Sequence, residues 1–273
     1  MTTWVDGRIV PDDAPVVRAD DHGLLVGDGV FETCEVRDGA VFALTRHLRR
    51  LRASADCLGL EFDEDRVRGG ITAVLAASTL AHARLRVTVT GGPSPYGSAR
   101  GESPPTVLVV AAPLGDWPPT TDVAVVPWTR NERAATVGAK TTSYADNVVA
   151  LRYANERGAG EAIFANNRGE LCEGTGSNVV VEHEGRLVTP PLSSGCLAGI
   201  TRELLLEWVP GIEERAVPVE ALAAGAEAFL ASTTRHVQPI RAVDGTVLAG
   251  APGPFTAEAA AVFARRMAED PDP

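Results

Sequence analysis

One lysine marks the stretch of this chain with the most distinctive chemistry. The sequence has 25 Lys and Arg residues together, and Lys140, within residues 137–144, is the only lysine. An amine can condense with an aldehyde, and burial can lower its pKa, whereas a guanidinium does neither. The alternative is a surface lysine that survived by chance in an Arg-biased composition. The count favours covalent chemistry at Lys140, provided that the rest of the chain supplies a site for an aldehyde.

Three other motifs supply the groups that such a site needs. Glu173 opens the motif Glu-Gly-Thr-Gly-Ser-Asn of residues 173–178, the triplet Gly-Ile-Thr of residues 199–201 opens a predicted helix, and residues 232–234 are Ser-Thr-Thr. Pyridoxal phosphate needs an amine, a carboxylate for its protonated ring nitrogen and donors for its phosphate. A helix N-terminus and hydroxyl groups bind phosphate well, and Arg50 could add a counter-charge. Each motif alone is typical of a hairpin, cap or loop, so the prediction rests on the set.

Two domains of mixed α and β structure are predicted to position these groups. Residues 1–114 form a small N-terminal α+β domain, residues 115–121 a Pro-rich linker, and residues 122–273 the domain with the cofactor motifs. Hydrophobic periodicity and turn residues predict the elements. In the first domain these are a hairpin over 4–10, strands over 30–36, 85–90 and 106–112, a helix with Thr45 as N-cap, and a helix over 65–80. In the second they are strands over 123–127 and 229–231, hairpins around 166–169 and 184–185, and helices over 144–157, 199–208 and 255–267.

Composition excludes several classes of function. The net charge of −11 and the pI near 5.0 argue against nucleic acid as a partner. No basic leader and no run of about 18 apolar residues occur, which predicts a cytoplasmic protein without a membrane segment. The four cysteines and five histidines are scattered without ligand spacing, so no metal site is predicted.

Taken together, the motifs resemble those of the class IV aminotransferases, the fold type IV pyridoxal phosphate enzymes. The matching segments are residues 27–33, 47–51, 138–140, 173–178, 199–202 and 232–234, in family order along nearly the whole chain. The resemblance implies a two-domain α+β fold like that of D-amino-acid aminotransferases, and a homodimer with its sites between domains. It implies that Lys140 is the Schiff-base lysine and that Glu173 meets the pyridine nitrogen. The other cofactor-binding residues implied are Arg50, Tyr144, Ser177, Asn178, Ile200, Thr201 and Thr233.

The family includes several activities, which the sequence separates only in part. Phe31-Glu32-Thr33 looks like the 4-amino-4-deoxychorismate lyase and D-amino-acid branches, but the Arg and His carboxylate trap of the latter is absent. Residues 140–147 resemble bacterial proteins taken as aminodeoxychorismate lyases, although Gly91 stands where that branch often has Arg. The predicted function is therefore the lyase, and a D- or branched-chain amino acid aminotransferase is the alternative. A non-catalytic metabolite-binding protein is a third reading. The residues proposed to meet a small-molecule amine substrate are Phe31, Tyr96, Arg100, Arg133, Thr234, Arg235 and His236.

The same first steps serve both enzymatic readings. The substrate amine displaces Lys140, which then takes the proton from the amine-bearing carbon as a general base. Glu173 keeps the ring nitrogen protonated so that the ring accepts the electron pair. A lyase then expels enolpyruvate and gives 4-aminobenzoate and pyruvate, whereas an aminotransferase reprotonates the cofactor carbon and releases a keto acid. The sequence leaves these two outcomes open.

Overall fold

The chain folds into two compact units, each assembled from separate stretches of sequence. The structure is a computed structural model that describes all residues from Met1 to Pro273. Unit 1 contains Met1–Gly115, Ala139–Tyr144 and Pro271–Pro273, and unit 2 contains Asp116–Gly138 and Ala145–Asp270. Both units combine helices with β-sheets, so the predicted α+β class is confirmed. The division differs from the predicted one, which placed the Lys140 segment and the tail in the second domain and treated 115–121 as a linker.

Unit 1 is an antiparallel six-stranded sheet with helices packed on it. Its strands run in the order β2-β1-β6-β5-β3-β4. Alternating residues explain the sheet: Ala83, Leu85 and Val87 of β5 are buried, while Arg84 and Arg86 between them are exposed. The elements are β1 (Thr2–Val5), β2 (Arg8–Val10), α1 (His22–Val26), β3 (Gly29–Arg37), β4 (Ala40–Val41), α2 (Leu44–Leu58), α3 (Glu64–Ala77), β5 (His82–Thr90) and β6 (Thr106–Pro113).

Helix α2 buries the face that carries Leu48, Leu51 and Ala55, which are spaced three and four residues apart. The prediction that Thr45 is its N-cap is wrong. The helix begins at Leu44, and the residue at the cap position makes no side-chain cap bond. Asp272 takes this role instead, since its carboxylate accepts hydrogen bonds from the backbone N and the Oγ1 of Thr45, at 2.8 and 2.6 Å.

Unit 2 is built on a larger mixed sheet. The strand order is β12-β11-β10-β13-β14-β7-β8-β9, with β15 paired to β14. Strand β7 is parallel to both of its neighbours, whereas the β8–β9 and β13–β14 pairs are antiparallel. The elements are β7 (Thr121–Arg130), α4 (Ala145–Asn155), β8 (Glu161–Asn166), β9 (Leu171–Gly174), β10 (Asn178–His183), β11 (Arg186–Thr189), α5 (Ile200–Trp208), β12 (Ile212–Glu214), α6 (Ala221–Ala224), β13 (Ala228–Ser232), β14 (His236–Val243), β15 (Thr246–Val247) and α7 (Pro254–Glu269).

The segment around Lys140 belongs to unit 1 because its backbone is hydrogen bonded there. The carbonyl of Lys140 accepts from Phe31 N at 3.0 Å, and Thr142 N donates to the carbonyl of Gly29 at 2.8 Å. Lys140 N donates to Ser54 Oγ on α2 at 3.0 Å. These bonds attach residues 139–144 to β3 and α2. No helix in the structure combines the length and the apolar character needed to cross a membrane.

Candidate active site

Lys140 lies beside two aromatic rings in unit 1. Its Nζ is 4.4 Å from the ring centroid of Phe31 and donates a hydrogen bond to Tyr144 Oη at 3.3 Å. The ring of Tyr144 meets that of Phe31 edge to face, with centroids 5.1 Å apart. The lysine side chain is only half-buried. The three predicted residues Lys140, Tyr144 and Phe31 thus form one cluster with a reachable amine.

A buried cluster in the same unit, formed by Glu32, His47 and Arg50, fixes the position of the Arg50 side chain. The Arg50 guanidinium donates Nε and Nη2 to the two carboxylate oxygens of Glu32, each at 2.7 Å, and His47 Nδ1 lies 2.7 Å from Glu32 Oε2. Burial by itself would raise the pKa of Glu32, but Arg50 and His47 outweigh it and hold that pKa well below the usual range. Burial lowers the pKa of His47. Arg50 is therefore held in a fixed orientation by a carboxylate that stays charged.

Neutral His47 leaves an orphaned atom in the same cluster. A neutral imidazole that donates Nδ1–H to Glu32 has an unprotonated Nε2. That Nε2 is buried and has no hydrogen-bond partner. The thiol of Cys34 is also buried in this region, and burial together with the charge of Glu32 raises its pKa well above the usual value. A thiolate at Cys34 is therefore excluded at neutral pH.

In unit 2, Glu173 stands near the end of β9 with both carboxylate oxygens in use. Oε1 accepts from Arg130 Nε at 3.1 Å, and Oε2 accepts from Leu197 N at 2.9 Å. The guanidinium of Arg130 lies 4.2 Å from the ring centroid of Phe164, the residue opposite Glu173 in the β8–β9 pair. The half-buried carboxylate is thus oriented from two sides.

The N-terminus of α5 has no side-chain cap. Gly199 occupies the cap position and offers no side chain, and Ile200 and Thr201 behind it are buried. A Cβ at Gly199 would lie 1.8 Å from Asn178 Oδ1, so a larger residue there would have to displace the Asn178 side chain. Asn178 is fixed by its Nδ2 bond to the carbonyl of Leu197 at 2.9 Å. Helix N-terminal N–H groups and the helix dipole favour a phosphate at such a place.

Other predicted residues take several different places. Thr233 and Thr234 are half-buried in the turn between β13 and β14. His236 follows that turn and stacks on Phe263, with centroids 5.6 Å apart. Tyr96 is 80% exposed in a loop of unit 1. The structure therefore brings neither Tyr96 nor His236 into the two clusters described above.

Arg100 is used to hold a loop. Its Nε and Nη2 donate to Asp28 at 2.8 and 2.6 Å, and His22 Nδ1 lies 2.7 Å from the same carboxylate. A Cβ at Gly91 would lie 2.3 Å from Asp28 Oδ2. The space for an arginine side chain at position 91 is thus filled by a pinned carboxylate, which explains the departure from the lyase pattern.

Two arginines near these clusters, Arg86 and Arg130, were not predicted from the sequence as site residues. Arg86 places its guanidinium carbon 3.8 Å from the ring centroid of Phe31, and its one hydrogen bond is to Thr88 Oγ1 at 3.1 Å. No carboxylate contacts it, which is unusual for an arginine beside a candidate site. Arg130, the partner of Glu173, was the other. The alternating pattern of β5 places Arg86 on the exposed face of the strand. Many arginines without a function occupy such positions, so the pattern alone did not single out Arg86.

Comparison with known proteins places these motifs in one family. The family model for class IV amino-transferases matches residues 29–243, which is most of the chain. The chain belongs to the class IV aminotransferase family. It is 31% identical over 267 residues to a putative branched-chain-amino-acid aminotransferase of Methanocaldococcus jannaschii, covering 91% of this chain and 90% of the relative.

Two further class IV similarities are informative. A bifunctional aminodeoxychorismate lyase / D-amino acid transaminase of Mycobacterium tuberculosis is 33% identical over 235 residues, covering 76% of this chain and 77% of the relative. The solved structure of a hypothetical aminotransferase from the same species, in a form bound to pyridoxal phosphate, matches with a TM-score of 0.87 at 28% identity. That match covers 99% of this chain and 100% of the other.

Each unit carries groups of the kinds that pyridoxal phosphate needs. Unit 1 has the amine of Lys140, and unit 2 has the fixed carboxylate of Glu173 and the uncapped helix start at Gly199. The decisive observation is Ser177, whose Oγ is buried and has no hydrogen-bond partner. A buried hydroxyl without a partner is costly, and an anionic ligand would satisfy it. Ser177 thus leaves one hydroxyl in unit 2 whose hydrogen bond a phosphate would complete.

Proposed function

We propose that this class IV enzyme uses pyridoxal phosphate to remove a proton from the amine-bearing carbon of a carboxylate-bearing amine, and that it is a 4-amino-4-deoxychorismate lyase. Its products are then 4-aminobenzoate and pyruvate. The observation that carries the proposal is the cluster in which the only lysine meets the Tyr144 hydroxyl and the Phe31 ring, with the cation of Arg86 on that ring. It combines a base, an aromatic wall and a group for a carboxylate.

Each residue of the cluster has a role in this proposal. When bound, pyridoxal phosphate supplies an aldehyde that condenses with amines and a protonated ring that stabilises negative charge on carbon. Lys140 would hold the cofactor through its aldehyde, and its free amine would take the proton from the substrate carbon as general base. Tyr144, at 3.3 Å from Nζ, orients the amine. Phe31 limits the solvent that reaches it.

The groups of unit 2 hold the cofactor in this proposal. Glu173 keeps the ring nitrogen protonated, and Arg130 and Leu197 N keep that carboxylate in place. The start of α5 and the buried hydroxyl of Ser177 bind the phosphate. Arg50 of unit 1, whose orientation is set by Glu32, is proposed to add a counter-charge. Thr233 gives a further hydroxyl.

A second candidate activity is transamination of D- or branched-chain amino acids. Relatives with that activity in their names support it, including the Methanocaldococcus protein at 31% identity. The Mycobacterium relative, at 33% identity, combines lyase and transaminase in one name. A lyase needs one amine substrate and no acceptor, whereas an aminotransferase needs a 2-oxo acid. Both substrates carry a carboxylate, so Arg86 serves either reaction.

Borohydride reduction of the holoenzyme tests the role of Lys140. Since the chain has one lysine, the reduced cofactor is expected on the peptide that contains it and on no other side chain. Lys140→Ala is expected to lose both this label and all turnover. Lys140→Arg is the matched control, because it keeps the positive charge and cannot form the bond. Turnover by either variant at the wild-type rate would refute the enzymatic proposal.

Two incubations separate the candidate activities. Release of 4-aminobenzoate from aminodeoxychorismate without any acceptor supports the lyase. Glutamate formation that depends on added 2-oxoglutarate and an amino acid supports the aminotransferase. If neither product forms with holoenzyme, both activities are refuted.

The role of Arg86 is tested with its neighbour on the same strand. Arg86→Leu is expected to lower kcat/KM by about 10- to 100-fold, the usual effect of losing a charge-assisted hydrogen bond. Cofactor binding should be unchanged. Arg84→Leu is the control, because Arg84 also projects from the exposed face of β5. Equal losses in the two variants would contradict the assignment.

The predictions of a homodimer and of a cytoplasmic location stay part of this proposal. Light scattering of the purified holoenzyme measures its mass in solution. A mass of twice the 28.6 kDa chain supports the dimer, and a single-chain mass at micromolar concentration contradicts it.

A further inference from the structure

A buried ion pair in unit 2 joins two loops that carry predicted cofactor donors. Glu161 begins β8, and its side chain is 2% exposed; Arg235 follows the turn after β13, and its side chain is 8% exposed. Glu161 Oε2 lies 2.9 Å from Arg235 Nη2. These two residues are 74 positions apart (235 minus 161) in the sequence. No role was proposed above for Glu161, and Arg235, which the sequence suggested as a substrate contact, is held in this ion pair instead.

The other oxygen of Glu161 fixes the loop after Glu173. Oε1 accepts from Thr175 N at 2.7 Å, from Gly176 N at 3.3 Å and from the hydroxyl of Thr175. These donors lie between the carboxylate that meets the ring nitrogen and Ser177, the orphaned hydroxyl. One side chain thus sets the path of the loop that presents both groups.

Arg235 fixes the second loop in a similar way. Its Nη1 donates to Gln238 Oε1 at 2.6 Å and its Nη2 to the carbonyl of Gly160 at 3.3 Å. The guanidinium carbon lies 3.9 Å from the ring centroid of Trp117. Burial lowers the pKa of Arg235, an effect that Glu161 partly offsets. Since Arg235 ends the Ser-Thr-Thr turn, its position determines where Thr233 lies.

Burying this pair is costly, and stability alone does not account for it. Removing two charges from water costs several kcal/mol for each ion, and apolar residues of similar size often serve stability equally well. An apolar pair, however, has no acceptor for the N–H groups of Thr175 and Gly176. The Glu161 carboxylate does both, because one oxygen accepts from the loop and the other pairs with Arg235.

We propose that Glu161 and Arg235 are positioning residues that hold the 174–177 loop and the 232–234 turn at the spacing that the cofactor phosphate requires. The proposal rests on the proposed function, because it takes pyridoxal phosphate as the ligand. Its readouts are cofactor affinity and loop protection, which do not depend on which amine is the substrate.

The test compares two double variants that both avoid an unpaired buried charge. Glu161→Leu with Arg235→Leu removes the pair and the acceptor. Glu161→Gln with Arg235→Leu removes the charges and keeps an oxygen that can accept from Thr175 N. Pyridoxal phosphate is titrated into apoprotein and followed by absorbance. The Kd is expected to rise about 10-fold or more in the Leu/Leu variant, and by about threefold in the Gln/Leu variant, which keeps the acceptor for Thr175 N but lacks Arg235.

Hydrogen exchange of the holoenzyme gives a second, independent readout. The amides of Thr175 and Gly176 are expected to exchange faster in the Leu/Leu variant, while amides of α7 are unchanged. The control is Glu213→Gln with Arg186→Gln, an exposed ion pair between β11 and β12, which should change neither quantity.

The possible outcomes are distinct. If wild type binds no pyridoxal phosphate, the proposed function fails. If wild type binds it and the Leu/Leu variant does so within twofold, the positioning role fails while the function stands. Should the Leu/Leu variant not fold, the Gln/Leu variant decides: a Kd about threefold above that of wild type supports the role of Arg235, and an unchanged Kd overturns it.

Discussion

Replacing Glu32 by Gln tests the ionised cluster that orients Arg50. The wild-type carboxylate is 1% exposed and receives three hydrogen bonds of 2.7 Å, two from Arg50 and one from His47. Gln keeps one acceptor oxygen, but its amide group must face one of these donors. Removing one partner of a buried ion pair costs about 3–5 kcal/mol. Because the Arg50 side chain retains 11% exposure, we expect the lower end, about 3 kcal/mol.

Urea unfolding at pH 7 measures this loss as a lower midpoint at unchanged slope. The pH dependence gives a second check. The folded-state pKa of Glu32 is lowered, so its ionisation stabilises the protein fully above the unfolded pKa of about 4.3. That contribution is lost as the pH falls below this value toward the folded pKa. The gap in unfolding free energy between wild type and Glu32→Gln should therefore narrow between pH 5 and pH 3.

An exposed carboxylate in the same unit provides the control. Glu64 pairs with Arg68 one helical turn away, and both side chains are more than a third exposed by area. Glu64→Gln is expected to cost about 0.5 kcal/mol or less. Equal losses in Glu32→Gln and Glu64→Gln, or a gap that does not change with pH, would refute the reasoning about the buried cluster.

Three further predictions concern other parts of the fold. Asp272→Ala should lower the stability of α2 by about 1 kcal/mol, the usual cost of losing an N-cap, measured by thermal unfolding; an unchanged Tm would contradict the cap. Gly199→Ala places a methyl group 1.8 Å from Asn178 Oδ1 and should weaken pyridoxal phosphate binding at least about 10-fold, by more than 1 kcal/mol; adding Asn178→Ala should recover part of it. The imidazole of His22 should titrate in NMR spectra above about 6.5, because Asp28 raises its pKa, and Asp28→Asn should bring that pKa down; no change would refute the pairing.

Local patterns predicted those parts of the fold that depend on neighbours in the chain. The strand predicted over 85–90 lies within β5, and the helix predicted over 199–208 is α5, because a strand or a helix start is encoded within a few residues. The reactive role of Lys140 could be predicted because every other basic residue with a permanent charge in the chain is an arginine. The unit to which Lys140 belongs could not be predicted, because its hydrogen bonds to Phe31 and Ser54 determine it.

The parts that the sequence did not reveal depend on contacts across long stretches of chain. Arg130 reaches Glu173 because β7, β8 and β9 are adjacent in the sheet, and nothing near Arg130 indicates that order. No role was predicted for Glu161, because its hydrogen bonds to Thr175 and Gly176 depend on the pairing of β8 with β9. The N-terminus of α2 is capped by Asp272, which lies 227 residues after Thr45. Local sequence around the start of the helix therefore could not identify the capping residue.

The split composition of unit 1 has a consequence for how the protein matures. Its first 115 residues are synthesised long before Ala139–Tyr144, and Pro271–Pro273 come later still. During synthesis, the helix that carries Arg50 therefore exists without the carboxylate that caps it. The first turn of α2 should therefore reach its final stability only after residue 272 has been synthesised, and a chain shortened to end before Asp272 should have a unit 1 that is less stable by about 1 kcal/mol.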